Sequence, residues 1–231
     1  MPMVKPIFIT ATDTHVGKTV TTYVLGILLK NRGINVGVMK PVQCAGNDAQ
    51  FLKKFLELTD DLSLINPIFV PEALSPHLAL ERAGIKFDLK KIKKALGILS
   101  QRHDLLLIEG AGGLMVPLSK TYYNVDLIRD LNAELIIVSR LGLGTINHTL
   151  LTIHLAKAYG LTIKGIIFSQ MNPGTKSLPE QSNPLEIEKL SKVKVLGVIP
   201  YLRPTGSPRQ EGKTLTTTHI LRQCKDLVHD F

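Results

Sequence analysis

The chain has 231 residues, 44% of them hydrophobic and 20% charged, which is enough apolar material for one compact core and excludes a disordered protein. A formal charge of +9 suits handling of phosphates and carboxylates as well as it suits nucleic acid, but no recognised DNA- or RNA-binding motif accompanies it. Two cysteines, Cys44 and Cys224, are too few and too widely spaced for a disulfide framework or a zinc-ligand pattern, so both are expected as free thiols.

In chain order, Lys5 and Pro6 precede an apolar run at 7–9 that is shorter than a signal-peptide core and has no small-residue cleavage site after it. No stretch approaches the roughly 20 apolar residues of a membrane span. A soluble, cytoplasmic protein with no membrane and no nucleic-acid partner is expected. Buried strands are expected at residues 6–10, 35–39, 105–109, 135–139, 163–169 and 195–199, with helical periodicity at 19–32, 89–101, 145–159 and 184–191. Gly33 and Gly160 stand where a positive φ would end a helix, and Lys90, Lys91, Lys93 and Lys94 read as a solvated helix face. Loops are expected at 172–183 and 200–212. No repeat or linker divides the chain, so residues 1–231 are expected to form a single α/β domain of the P-loop NTPase type. Its sheet would be doubly wound and mostly parallel, with helices on both faces. In such a sheet, ligands bind beyond the carboxyl ends of the strands.

The densest chemistry follows the first strand. Thr10-Ala11-Thr12-Asp13-Thr14-His15-Val16-Gly17-Lys18-Thr19 leads from an apolar strand into an amphipathic helix, the context a phosphate-binding loop requires. Backbone N–H groups of such a loop converge on phosphates, Lys18 supplies positive charge, and the Thr19 hydroxyl can coordinate Mg²⁺. A strict pattern would carry glycine at position 12, where this chain has threonine. After the second strand, Lys40-Pro41-Val42 offers another ammonium for the same oxygens, as phosphoryl transfer favours. Asp48, after Gly46-Asn47, and Glu109, before Gly110-Ala111-Gly112-Gly113, complete with Thr19 a plausible oxygen ligand set for Mg²⁺. Asp48 equally suits an Asx turn or the cap of a helix over 49–58. The turn Gly142-Leu143-Gly144-Thr145-Ile146-Asn147 is a candidate carboxylate site at a helix start, or simply a start capped by Thr145. His77 and His148 lack a nucleophile partner and are read as structural or substrate-positioning.

Taken in order, Thr12-Asp13-Thr14-His15-Val16-Gly17-Lys18-Thr19, Lys40-Pro41-Val42, Ser75-Pro76-His77, Glu109-Gly110-Ala111-Gly112-Gly113 and Ile146-Asn147-His148 resemble the dethiobiotin synthetase family. The resemblance runs from about Ile7 to Tyr201. It implies a homodimeric ATP- and Mg²⁺-dependent enzyme that joins CO₂ to 7,8-diaminononanoate and closes a ureido ring. It assigns catalysis to Lys18 and Lys40, nucleotide binding to Asp13, Thr14, His15, Val16, Gly17, Lys18, Thr19 and Ser169, and metal binding to Thr19, Asp48 and Glu109. Substrate binding falls to Cys44, Gly112 and the turn Gly144, Thr145, Ile146 and Asn147, the turn serving the neighbouring subunit. Three departures stand out. Ala11 replaces a loop glycine, Cys44 replaces a serine and so bonds substrate more weakly, and Ser169 replaces an adenine-contacting asparagine, which leaves base recognition open. A regulatory or partitioning P-loop ATPase typically carries an extra lysine early in the loop, where this chain has Asp13. A related amide ligase acting on cofactor precursors would normally bring a glutamine-hydrolysing domain.

Overall fold

A computed structural model describes residues 6–175, 177–202 and 217–229. The elements run β1 (Ile7–Ala11), α1 (Lys18–Asn31), β2 (Val36–Met39), β3 (Val42–Cys44), α2 (Asp48–Phe55), α3 (Leu62–Ile65), β4 (Ile68–Val70), α4 (Pro76–Arg82), α5 (Leu89–Ser100) and β5 (Leu105–Glu109). They continue α6 (Asn124–Asp130), β6 (Glu134–Arg140), α7 (Thr145–Ala158), β7 (Ile163–Ser169), α8 (Leu178–Ser191), β8 (Val195–Ile199) and α9 (Thr217–Cys224), followed by a 3₁₀ turn at Lys225–Val228. Six strands form one sheet in the order β2-β5-β1-β6-β7-β8, and every pairing in it is parallel.

The strands are apolar on both faces because helices cover both. Along β1, Ile7, Ile9 and Ala11 face the side that α1 covers, while Phe8 faces the other with Met39, Ile108 and Ile137, the period-two alternation of a strand. Ile9 and Phe8 are fully buried, each contributing about 2–3 kcal/mol of apolar burial. α5 shows the complementary period: Ile92, Ala95 and Leu99 are buried, and its lysines point outward. Gly33 and Gly160 end α1 and α7 with φ of 80° and 69°. The sheet thus carries Ala11, Met39, Glu109, Arg140 and Ser169 to one edge, where the loops collect.

One expectation needs correction, one small sheet was not foreseen, and one expected loop is described only in part. Residues 172–183 are not all loop: α8 begins at Leu178, with Pro179 in its first turn, where a missing N–H leaves nothing unpaired. The Ser177 N–H and hydroxyl each donate to the Glu180 carboxylate at 2.8 Å, a capping box that starts the helix ahead of Pro184. A separate two-stranded parallel sheet, β3 with β4, had no visible signal, since each strand has three residues. Of the loop expected at 200–212, residues from 203 on lie outside the described residues. Among the described residues no helix is long and apolar enough to cross a membrane.

Candidate phosphoryl-transfer site

The phosphate loop closes at Gly17, whose φ of 97° is left-handed and unfavourable for any side chain. Space forbids one as well, because a Cβ there would lie 2.6 Å from Ser169 Oγ. α1 therefore starts at Lys18 with no side-chain cap, leaving its first N–H groups and the positive end of its dipole free for an anion. Lys18 is 8% exposed, and among the described residues its ammonium makes one long hydrogen bond, 3.4 Å to the Asp13 carbonyl. Burial, then the neighbouring Lys40 charge, hold this ammonium below its ordinary pKa, against the pull of Glu109, Asp48 and Asp13.

Lys40, at the end of β2, is more fully satisfied. Its Nζ contacts Glu109 Oε1 at 2.6 Å and also pairs with Asp48 Oδ2. Burial works to depress its pKa, but the Glu109 and Asp48 charges and hydrogen bonds outweigh it, holding the ammonium above 10.5. Glu109 is fully buried. Its Oε1 also accepts from the Thr19 hydroxyl at 2.8 Å, whereas its Oε2 is buried without a hydrogen-bond partner. A carboxylate oxygen left bare inside a protein is costly unless a ligand completes it. Thr19, Asp48 and Glu109 converge through these contacts, and their hard oxygen donors fit a magnesium ion that takes its remaining ligands from phosphate and water.

These groups border a cavity of about 1350 Å³ that is lined by Asp13, Thr14, His15, Gly17, Lys18, Thr19, Lys40, Cys44, Asp48, Glu109 and Gly112. The sequence reading expected all of them in one site. It also expected Val16, whose side chain is a buried core anchor, and Ser169, which lies beneath the loop against Gly17 and not on the cavity wall. Gly144, Thr145, Ile146 and Asn147 do not line this cavity either. The cap of α7 is Gly144, with φ 85° and no side-chain bond, so Thr145 is not the cap. Nor does Asp48 cap α2, where Asn47 holds that place. His77 pairs with Ser75 Oγ at 3.0 Å, and His148 Nδ1 lies 3.5 Å from Arg140.

The sequence reading missed Asn124. Buried at the start of α6, it donates to the carbonyls of Ala111 and Gly113 at 2.6 and 2.8 Å, so it fixes the glycine-rich loop that forms one wall. Gly110 and Gly113 allow that loop to approach closely: a Cβ would meet the Phe8 ring at 2.5 Å in one case and the Ala11 carbonyl at 2.9 Å in the other. No local motif marks Asn124. Leu151, Thr152 and Leu155 of α7, with Met171, add an apolar side.

A family model described as an AAA domain matches residues 5–209. Among curated proteins, the chain is 42% identical to the ATP-dependent dethiobiotin synthetase BioD of Bacillus cereus (strain G9842), over 96% of this chain and 90% of that protein. It is 37% identical to the protein of the same name from Methanococcus vannielii, over 84% and 92%. Of solved structures, the septum site-determining protein MinD of Pyrococcus horikoshii, complexed with Mg-ADP, superposes with a TM-score of 0.56 at 19% identity, over 85% of this chain and 81% of that one. A ParA family ATPase from Chlorobium tepidum superposes with a TM-score of 0.52 at 16% identity, over 86% and 84%. At these identities the two structures are likenesses of fold.

Proposed function

This chain belongs to the ATP-dependent dethiobiotin synthetases, ligases of biotin biosynthesis, and we propose that the cavity beside Lys18 and Lys40 is where it carboxylates and cyclises 7,8-diaminononanoate. The observation that carries the assignment is the cluster at its head. Two buried ammonium groups and two carboxylates meet the start of a helix, and one carboxylate oxygen has no partner.

In this reading one amine of the diamine captures CO₂ as a carbamate, whose oxygen takes the γ-phosphoryl group of ATP. The second amine then attacks the mixed anhydride, the ureido ring closes, and ADP and phosphate leave. The free N–H groups of the loop and Lys18 hold the nucleotide phosphates. Lys40, between Asp48 and Glu109, stabilises the negative charge that spreads over the transferring oxygens. Thr19, Asp48 and Glu109 would hold Mg²⁺, which when bound neutralises phosphate oxygens. Cys44, its thiol pKa raised by burial against the pull of Lys40, stays neutral beside the substrate, as Gly112 offers it a bare backbone. Ser169, under the loop, gives the base little to read.

The turn at Gly144, Thr145, Ile146 and Asn147 is assigned to the substrate carboxylate of a second protomer. Its absence from the wall of its own cavity supports this. So do Leu143 and Leu151, 80% and 60% exposed, which supply apolar surface beside it for a homodimer. The chain is taken as one cytoplasmic domain. Phosphate release from Mg-ATP tests the assignment, with the diamine and bicarbonate both required. Release without the diamine, stimulated by DNA or lipid, would overturn it.

A further inference from the structure

Behind the phosphate loop lies a group of buried hydroxyls that the reaction above does not use. Ser139, in β6, is fully buried, as are Thr145 and Thr149 in the first turns of α7. Ser139 Oγ is 2.8 Å from Thr145 Oγ1 and 2.8 Å from Thr149 Oγ1, and 3.3 Å from Thr12 Oγ1 in the phosphate loop. One hydroxyl has one proton and two lone pairs, so three neighbours use it completely. The loop is tied to the same strand by its backbone, through the Thr12 N–H and the Val138 carbonyl at 3.0 Å. The start of α7 has no side-chain cap. Thr145, the first residue of the helix, directs its hydroxyl to Ser139, so Ser139 holds the residue that follows the turn's left-handed Gly144. On its other side the turn is steadied by Asn183, which donates to the Leu141 carbonyl at 2.7 Å. The contact to Thr12 is longer than an ordinary O–H···O bond and the two to α7 are not, which makes it the adjustable joint of the chain of hydroxyls.

We propose that Ser139 is a positioning residue that couples the phosphate loop to the turn at Gly144, Thr145, Ile146 and Asn147, so that a nucleotide in the loop alters how tightly the turn holds the substrate carboxylate. This rests on the assignment of that turn to the carboxylate. Among the described residues the turn does not line the loop's cavity, and the hydroxyls with the strand beneath them are a described path between the two.

Calorimetric titration of the purified protein with 7,8-diaminononanoate, without and with saturating ADP, tests the coupling. ADP fills the loop but lacks the phosphoryl group that is transferred. In the wild type, ADP should change the diamine affinity about fivefold or more, and Ser139→Ala should shrink that change to less than about twofold. Ser191→Ala, which removes a buried hydroxyl outside this group, bonded to the Val193 N–H at 3.1 Å, should retain the wild-type effect. A purely structural role for Ser139 would lower Tm without erasing the dependence on ADP. Thr12→Val breaks the same link from the loop side and stands in if Ser139→Ala does not fold. Full coupling in these link-breaking variants, or none in the wild type, overturns the proposal and leaves the functional assignment intact. A wild type that binds no diamine overturns both.

Discussion

Two charge clusters, each built on a buried carboxylate, sit at opposite ends of the same pair of strands, and they are finished differently. At the carboxyl ends of β2 and β5, Lys40 spans Asp48 and Glu109, and Glu109 Oε2 is left with no partner. At the amino ends, Asp60 accepts from Arg102 at 2.9 Å and His103 at 2.6 Å, one to each carboxylate oxygen, and its carbonyl takes the Lys53 ammonium. Asn35 completes the far side of His103 at 3.0 Å. The second cluster is closed and ties α2, α5 and β2 together. The first is open toward a cavity. Burial of charge alone therefore does not mark a functional site; burial with an unfinished coordination does.

If this distinction holds, activity and stability should separate between the two ends. The largest effect is expected from Lys40→Met, which removes the charge proposed to face the transferred phosphoryl group. Steady-state turnover should fall by about 10²- to 10³-fold, and Tm should also fall, because Glu109 loses its buried partner. Lys18→Ala should lose turnover on the same scale with little change in Tm, since Lys18 has only a long contact to give up. A variant at either lysine that turns over like the wild type removes that lysine from the chemistry. Asp60→Ala is the inverse case: denaturant unfolding should show a loss of about 3 kcal/mol, with turnover per folded molecule unchanged. A large drop in turnover there would collapse the contrast between the ends.

Titration sharpens it further. Burial pushes the Asp60 carboxyl up, but hydrogen bonds from His103 and Arg102 outweigh that and leave it below 3.8. Its contribution to stability is thus whole above about pH 3.8 and lost as pH falls through the lower folded value. Lys40 has the opposite sign. Its folded pKa is above 10.5, so its contribution is whole below that pH and lost as pH rises past it. Unfolding curves without nucleotide should accordingly lose their acid limb in Asp60→Asn and their alkaline limb in Lys40→Met. The smallest effect belongs to Cys44→Ser, a hydroxyl for a thiol at the cavity wall. It should change the KM for the diamine by less than about threefold, and a larger change would mean that the thiol orients substrate.

What the sequence disclosed follows from the same physics. The six long strands and the loop at Gly17-Lys18-Thr19 were legible because continuous apolar runs and glycine spacing are local signals; Lys40 and Glu109 were legible because one follows an apolar run and the other ends one, and Asp48 because it follows a Gly-Asn turn. Asn124 was hidden: it acts on the glycine loop from a helix 11 residues along the chain, and an asparagine at a helix start looks like any cap. The closed Asp60 cluster was hidden for the same reason, since His103 and Asp60 are 43 residues apart. The start of α8 was misplaced because Pro179 reads as a breaker unless the Ser177–Glu180 box is seen with it. Ser169 was placed by resemblance, and only the packing against Gly17 reveals it under the loop.

The pairing of Lys40 with two carboxylates has one more consequence, for the cycle as a whole. Lys40 already holds Asp48 and Glu109 Oε1, so an ion could take up those two oxygens only as the ammonium gave them up, whereas Glu109 Oε2 is open from the start. A nucleotide entering here would then exchange one set of counter-charges for another and leave Lys40 free to face its phosphates. Once product has left, the same ammonium is at hand to hold both carboxylates again.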